Sequence, residues 1–189
     1  MKVAVAGGIA VIAGIVYPVF GEQMGETRDP GEREMVIPTS QVIDGLRDSP
    51  PGRAIWQLHL HHTWDPRYAD FNGGNHTELQ QEMRDLHVDQ NGWDDIGQHL
   101  TLFPDGLWMR GRSLERDPAS IRGWNQGAIA VEMVGNFDIG HDRMHALQWS
   151  AIVEFTRFAI EEMKWEIVFH RDHPDANKTC PGTGLSKAR

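Results

Sequence analysis

Ala54–His61 reads A-I-W-Q-L-H-L-H. Ala54, Trp56, Leu58 and Leu60 fall on one side of a two-residue repeat, and Ile55, Gln57, His59 and His61 on the other. Such alternation predicts a β-strand with one face against a core. It places His61 at the strand's C-terminal end, where chemistry collects in open α/β sheets. A second run, A-I-A-V-E-M-V over 128–134, suits a central strand covered on both faces, and only Glu132 interrupts it. A third, W-E-I-V-F over 165–169, delivers His170 to its end.

The intervening stretches are consistent with these strands. From Asp142 to Met163 the chain reads as one long helix, with Met144, Leu147, Ala151, Phe155 and Phe158 at helical spacing. Thr77 and Gln80 form a capping box for a helix reaching His87, with Leu79, Met83 and Leu86 inward. Residues 99–103 and 107–110, separated by P104-D-G106, resemble a hairpin. Pro38-Thr39-Ser40 offers a helix cap ahead of Val42, Ile43 and Leu46. The expected fold is α/β: one domain over 36–189, a central mixed β-sheet flanked by helices, and the functional residues at strand ends.

Composition narrows the function. A chain of 189 residues, 40% apolar with seven tryptophans, can bury a substantial core. A net charge of −9 argues against nucleic acid, whose phosphates need a basic surface. A single cysteine excludes an intramolecular disulfide, so Cys180 needs another role if the protein is exported. Residues 3–20 carry no charge and follow Lys2. As a helix they would span ~27 Å, near the ~30 Å hydrocarbon core. Residues 1–20 are therefore expected to be a signal peptide or N-terminal membrane anchor, with membrane association through residues 3–20. Residues 21–35 are read as a polar linker. The corresponding location is extracytoplasmic, secreted or anchored, at the cell wall, and the domain is expected to be a monomer.

His61, His170 and Cys180 supply two imidazoles and a thiol from separate elements. Zinc accepts those ligands, and a catalytic zinc keeps a fourth position open. Cys180 lies in a loop ten residues beyond His170. Glu132 is expected to face the metal, because a carboxylate inside an apolar strand has its pKa raised and becomes an acid or base near neutral pH. Without that role it would anchor a loop or bond a ligand histidine. Lys178, two residues before Cys180, is placed to stabilise an oxyanion, or is an ordinary solvated lysine.

Several motifs occur in one order: H61-H-T63, G92-W-D-D-I-G97, P104-D-G106, R110-G-R112, A130-V-E-M-V-G-N-F137, H170-R-D172 and K178-T-C180-P-G. Over about residues 36–184 the chain resembles the type 2 N-acetylmuramoyl-L-alanine amidases, the zinc amidases that include phage lysozyme-like amidases and peptidoglycan recognition proteins. The resemblance implies zinc on His61, His170 and Cys180, with Lys178 stabilising the tetrahedral intermediate. It implies hydrolysis of the amide between N-acetylmuramic acid and L-alanine of peptidoglycan, the expected partner. Gln98 departs from the pattern, since the phage enzymes carry a catalytic tyrosine there. The cell-wall recycling amidases also lack it and place a glutamate in the strand, so Glu132 is the compensating acid or base. The chain ends eight residues after Pro181, where family members usually continue into a helix. Trp64, Trp93, His99, Trp124 and Asn125 are expected along the substrate cleft, and His62 and His87 are assigned to structure or surface. The alternatives are a peptidoglycan-binding module without hydrolysis, which the complete ligand set disfavours, and a zinc peptidase cutting within the stem peptide.

Overall fold

The computed structural model describes residues 35–187. The expectations for residues 1–20 and for the linker up to residue 34 lie outside the described residues. Among those described, no helix is long and apolar enough to cross a membrane.

The elements run α1 (Thr39–Asp48), β1 (Gln57–His62), α2 (His76–Asp85), β2 (Leu100–Leu102), β3 (Trp108–Arg110), β4 (Ala128–Met133), α3 (Ala146–Glu161) and β5 (Glu166–Phe169). The strands form one mixed sheet in the order β3-β2-β4-β1-β5. β1 is parallel to both β4 and β5, β2 is parallel to β4, and β2 and β3 form the antiparallel hairpin. Four parallel strands thus end at one edge, and three of them, β1, β4 and β5, bring the site together there.

The two-residue repeat sorts side chains between faces. Leu58 and Leu60 of β1, with Ile129, Val131 and Met133 of β4, pack against Val42, Ile43 and Leu46 of α1 and Ile152, Phe155 and Phe158 of α3. Burying such a side chain contributes about 1.5–3 kcal/mol. The opposite face carries a smaller cluster in which Leu79 of α2 meets Phe103, Met109 and Val134.

The helices depart from the sequence reading in three places. α3 begins at Ala146, four residues after Asp142. The Asp142 carboxylate accepts instead from the backbone N–H groups of Asn136 (2.8 Å) and Tyr68 (3.3 Å). Leu147, expected inward, is 64% exposed, and Gln148 takes the buried position. Gln148 Nε2 donates to the carbonyls of Leu102 (3.1 Å) and Val134 (3.0 Å) at the strand ends, and Leu102 O also accepts from Val134 N–H (2.9 Å). α2 lacks the Thr77–Gln80 capping box: Asn75 precedes its first turn without a side-chain cap, and Gln80 Nε2 donates inward to Arg110 O. The chain then widens into a π turn over Leu86–Gln90, closed by Asn91 N–H on Leu86 O.

Candidate metal centre and its cleft

His61 is the penultimate residue of β1 and pairs in register with Glu132 of β4. On the other side of β1, β5 ends at Phe169 and His170 opens a 3₁₀ turn. Neighbouring parallel strands lie about 4.8 Å apart. His61, Glu132 and His170 are therefore brought side by side at one sheet edge. The loop after β5 returns Cys180 over them.

One donor atom from each of His61, His170 and Cys180 lies within 4.8 Å of the others. Cys180 Sγ is 3.4 Å from His61 Nδ1, and the His61 and His170 rings are 5.0 Å apart. Burial holds His61 well below its ordinary pKa, with His170 adding to the effect. Burial, then the Lys178 charge, lower His170 to about 4. Burial pushes the Cys180 thiol far up, and Glu132 adds to it. Without metal the three groups are thus two neutral imidazoles and a neutral thiol. His61 Nε2 is buried without a hydrogen-bond partner. Two neutral nitrogens and a sulfur converging from different elements suit zinc, and a nearby divalent charge favours the thiolate that burial alone disfavours. The residues fit the ion.

Glu132 lies beside this group, half-buried at the cleft floor. Burial raises its pKa to about 8, against the opposing pull of Lys178. Lys178 is exposed at the cleft mouth, and its charge reaches Glu132, His61, His170 and Cys180. The cleft holds about 720 Å³ and is open to solvent.

Of the residues expected along this cleft, the structure brings Trp64 and Trp93 to it. Trp64 is 54% exposed with φ of 61°, a left-handed conformation that is an outlier for a bulky residue, and Arg67 lies over its ring. Trp93 stacks on His87 with ring centroids 4.7 Å apart. A β-carbon at Gly97 would stand 2.8 Å from Trp93 Cζ3 and 2.7 Å from Ala119 O, so glycine is needed for this approach.

The other three are not among the residues that line the cleft. His99 is buried; its Nδ1 accepts from Ala130 N–H (3.0 Å) and its Nε2 donates to Arg116 O (2.8 Å). Asn125 Oδ1 accepts from the backbone of Ser120 (3.1 Å) and Ile121 (2.9 Å), closing a turn. Trp124 packs against His173 at 4.8 Å. Conversely His62, His87, Gln98 and Ser120 line the cleft. His62 and His87, expected from the sequence to be structural or surface residues, therefore face the cleft. The π turn brings His87 under Trp93, and no periodic pattern signals such a turn. Gln98 Nε2 donates to Thr101 Oγ1 (3.1 Å).

The pig N-acetylmuramoyl-L-alanine amidase (Sus scrofa) is 30% identical over 80 residues, 42% of this chain but 13% of that protein. The mouse counterpart is 31% identical over 42% of this chain and 15% of its own length, so these relatives extend far beyond the matched stretch. An endolysin of Klebsiella phage KP32 is 28% identical over 57% of this chain and 72% of its own. Among solved structures, Drosophila PGRP-LB superposes with a TM-score of 0.61 at 17% identity, over 80% of this chain and 81% of that one. The Ph2119 endolysin from Thermus scotoductus bacteriophage Ph2119 does so with a TM-score of 0.57 at 27% identity, over 71% and 81%. Residues 51–183 match the model of the N-acetylmuramoyl-L-alanine amidase family, and with its motifs in that family's order the chain belongs to it.

Proposed function

We propose that this domain hydrolyses the amide joining N-acetylmuramic acid to L-alanine in peptidoglycan, with zinc held by His61, His170 and Cys180. The observation that carries this reading is the convergence of those donors beside Glu132 on one cleft floor. Zinc, when bound, lowers the pKa of a water and polarises a carbonyl. Glu132 takes the proton from the attacking water and delivers it to the leaving nitrogen. A carboxyl raised to about 8 in the metal-free protein is suited to exchange protons near neutrality. The Lys178 ammonium, at the mouth, stabilises charge on the carbonyl oxygen. Trp64 and Trp93 offer aromatic faces to sugar rings and apolar side chains. Water adds across the amide, leaving a lactyl carboxylate on the glycan and a free amino terminus on L-alanine.

Peptidoglycan as ligand is supported by relatives: one solved structure is a point mutant of Drosophila PGRP-LB in complex with tracheal cytotoxin, and two relatives are named as peptidoglycan recognition proteins of Holotrichia diomphalia. Gln98 in place of the phage tyrosine favours a second reading, a receptor that binds without cutting. That reading gives no role to Glu132 beside a complete ligand set. The two separate on one experiment. Purified peptidoglycan is incubated with the protein, with and without a chelator, and the products are weighed by mass spectrometry. Chelator-sensitive release of intact stem peptides supports hydrolysis; unaltered glycan with retained protein supports the receptor; shortened peptides support a peptidase.

Residues 1–20 are proposed to export or anchor the domain at the cell wall, with 21–35 as its linker, and the domain to act as a monomer. Residues 3–20 are uncharged while 21–34 hold few apolar side chains. Deletion of 1–34 should leave a soluble, zinc-binding domain. An insoluble product rescued by restoring 3–20 would assign that segment to the fold.

A further inference from the structure

Two of the three donors, His170 and Cys180, sit in one loop, ten residues apart. A loop of that length loses considerable freedom when a metal pins both ends, unless something else has already ordered it. The residue next to His170 makes the required contacts. Arg171 N–H donates to Cys180 O at 3.0 Å. Its guanidinium donates through Nη1 to Thr179 O (3.2 Å) and Gly182 O (2.6 Å), and through Nη2 to Leu185 O (2.5 Å). It also lies over the Phe169 ring, 4.8 Å from the centroid, and Phe169 is 5% exposed at the end of β5. One side chain thus ties three carbonyls flanking Cys180 to the rigid end of a strand.

The outer side of the loop is tied as well. Asp138 Oδ2 accepts from Thr179 Oγ1 (2.8 Å), and Oδ1 accepts from Thr183 N–H (2.9 Å). Gly184 N–H donates to Phe137 O at 2.9 Å. Residues immediately before and shortly after Cys180 are therefore held from both sides. We infer that Arg171 is a positioning residue: it sets Cys180 against His61 and His170 before metal arrives, and Asp138 completes the clamp. This rests on the zinc-site reading above. A lysine is a poor substitute, because reaching three carbonyls in different directions from over the Phe169 ring requires a planar fork of several donors.

The test measures metal affinity and ligand geometry rather than turnover. Zinc dissociation is measured by chelator competition on the full chain, and the cobalt-substituted protein is examined for the thiolate-to-cobalt charge-transfer band. R171A should weaken zinc about 10–100-fold, the range for losing an outer partner of a ligand, and should shift or weaken the band. R171K should restore only part of the affinity, and D138N should weaken it in the same sense. Unchanged affinity and an unchanged band in R171A would overturn the inference. If R171A does not fold, wild-type affinity in both R171K and D138N overturns it equally. A wild-type protein that binds no zinc would instead remove the zinc-site reading, so the two failures are distinguishable.

Discussion

The two faces of the sheet are closed by different means. On one, α1 and α3 lay Val42, Ile43, Leu46, Phe155 and Phe158 over Leu58, Leu60, Ile129 and Val131, and contact is almost wholly apolar. On the other, much of the cover is the irregular segment 111–127, held by polar side chains. Gln57 Nε2 donates to the carbonyls of Trp124 (2.7 Å) and Gln126 (3.0 Å). His59 Nδ1 meets Ser120 Oγ at 2.7 Å. Arg53 donates to Leu114 O (2.6 Å) and Ala128 O (2.7 Å). Apolar contact is non-directional and tolerates small shifts. Hydrogen bonds fix angle and distance. The face that must hold His61 and Glu132 in position is the directional one, and alternate residues of β1 serve the two tasks.

Substitutions can break this division, and they rank by size. C180S removes a donor from the polar face and should lower zinc affinity by more than about 100-fold, beyond what an outer partner costs; metal analysis would show less than one zinc per chain. E132Q keeps the shape and should keep zinc, while turnover falls ~10²–10⁴-fold. Unchanged turnover would pass the proton's transfer to another group. Phe155→Ala acts on the apolar face. It should cost about 3–5 kcal/mol in denaturant unfolding and leave activity per folded molecule intact. A loss of zinc there would show that the faces are not independent.

The smallest effect is on pH dependence in the metal-free protein. Burial lowers His59 to about 4 and His99 to about 3. The unfolded chain takes up protons near 6.5 that the folded form refuses. Their stabilisation is full above pH 6.5 and is lost as pH falls through those folded values. Glu132 runs the other way: its stabilisation is full below about 4.5 and lost as pH rises through about 8. Melting temperatures between pH 4.5 and 8 should therefore fall on the acid side. H59N should flatten that limb by about one proton, and E132Q should flatten the alkaline one.

Much of this was legible in the sequence, for physical reasons. The strands announce themselves because β1 alternates and β4 is apolar throughout except at Glu132. His61, His170 and Cys180 are legible because their residue types and the motif order around them point to one chemistry. The start of α3 is not, because Asp142 is a good helix-initiating residue whose carboxylate is drawn to Asn136 and Tyr68. Nor is the inward turn of Gln148, which depends on the strand-end carbonyls of Leu102 and Val134, whose positions no side-chain pattern encodes. His99 and Asn125 suggested a cleft lining because polar residues near a motif are ambiguous, and their partners are backbone atoms. Arg171 stood inside a recognised motif, but its carbonyl partners exist only once the loop is folded.

The central claim is that the polar face cuts one particular amide. The most direct measurement is the identity of the amino termini created when purified peptidoglycan is digested by the zinc-loaded protein, read by end-group labelling. The account predicts new amino-terminal L-alanine, absent with chelator and with E132Q. New termini on any other stem-peptide residue, or none at all from an active-site-intact, zinc-loaded protein, would contradict it.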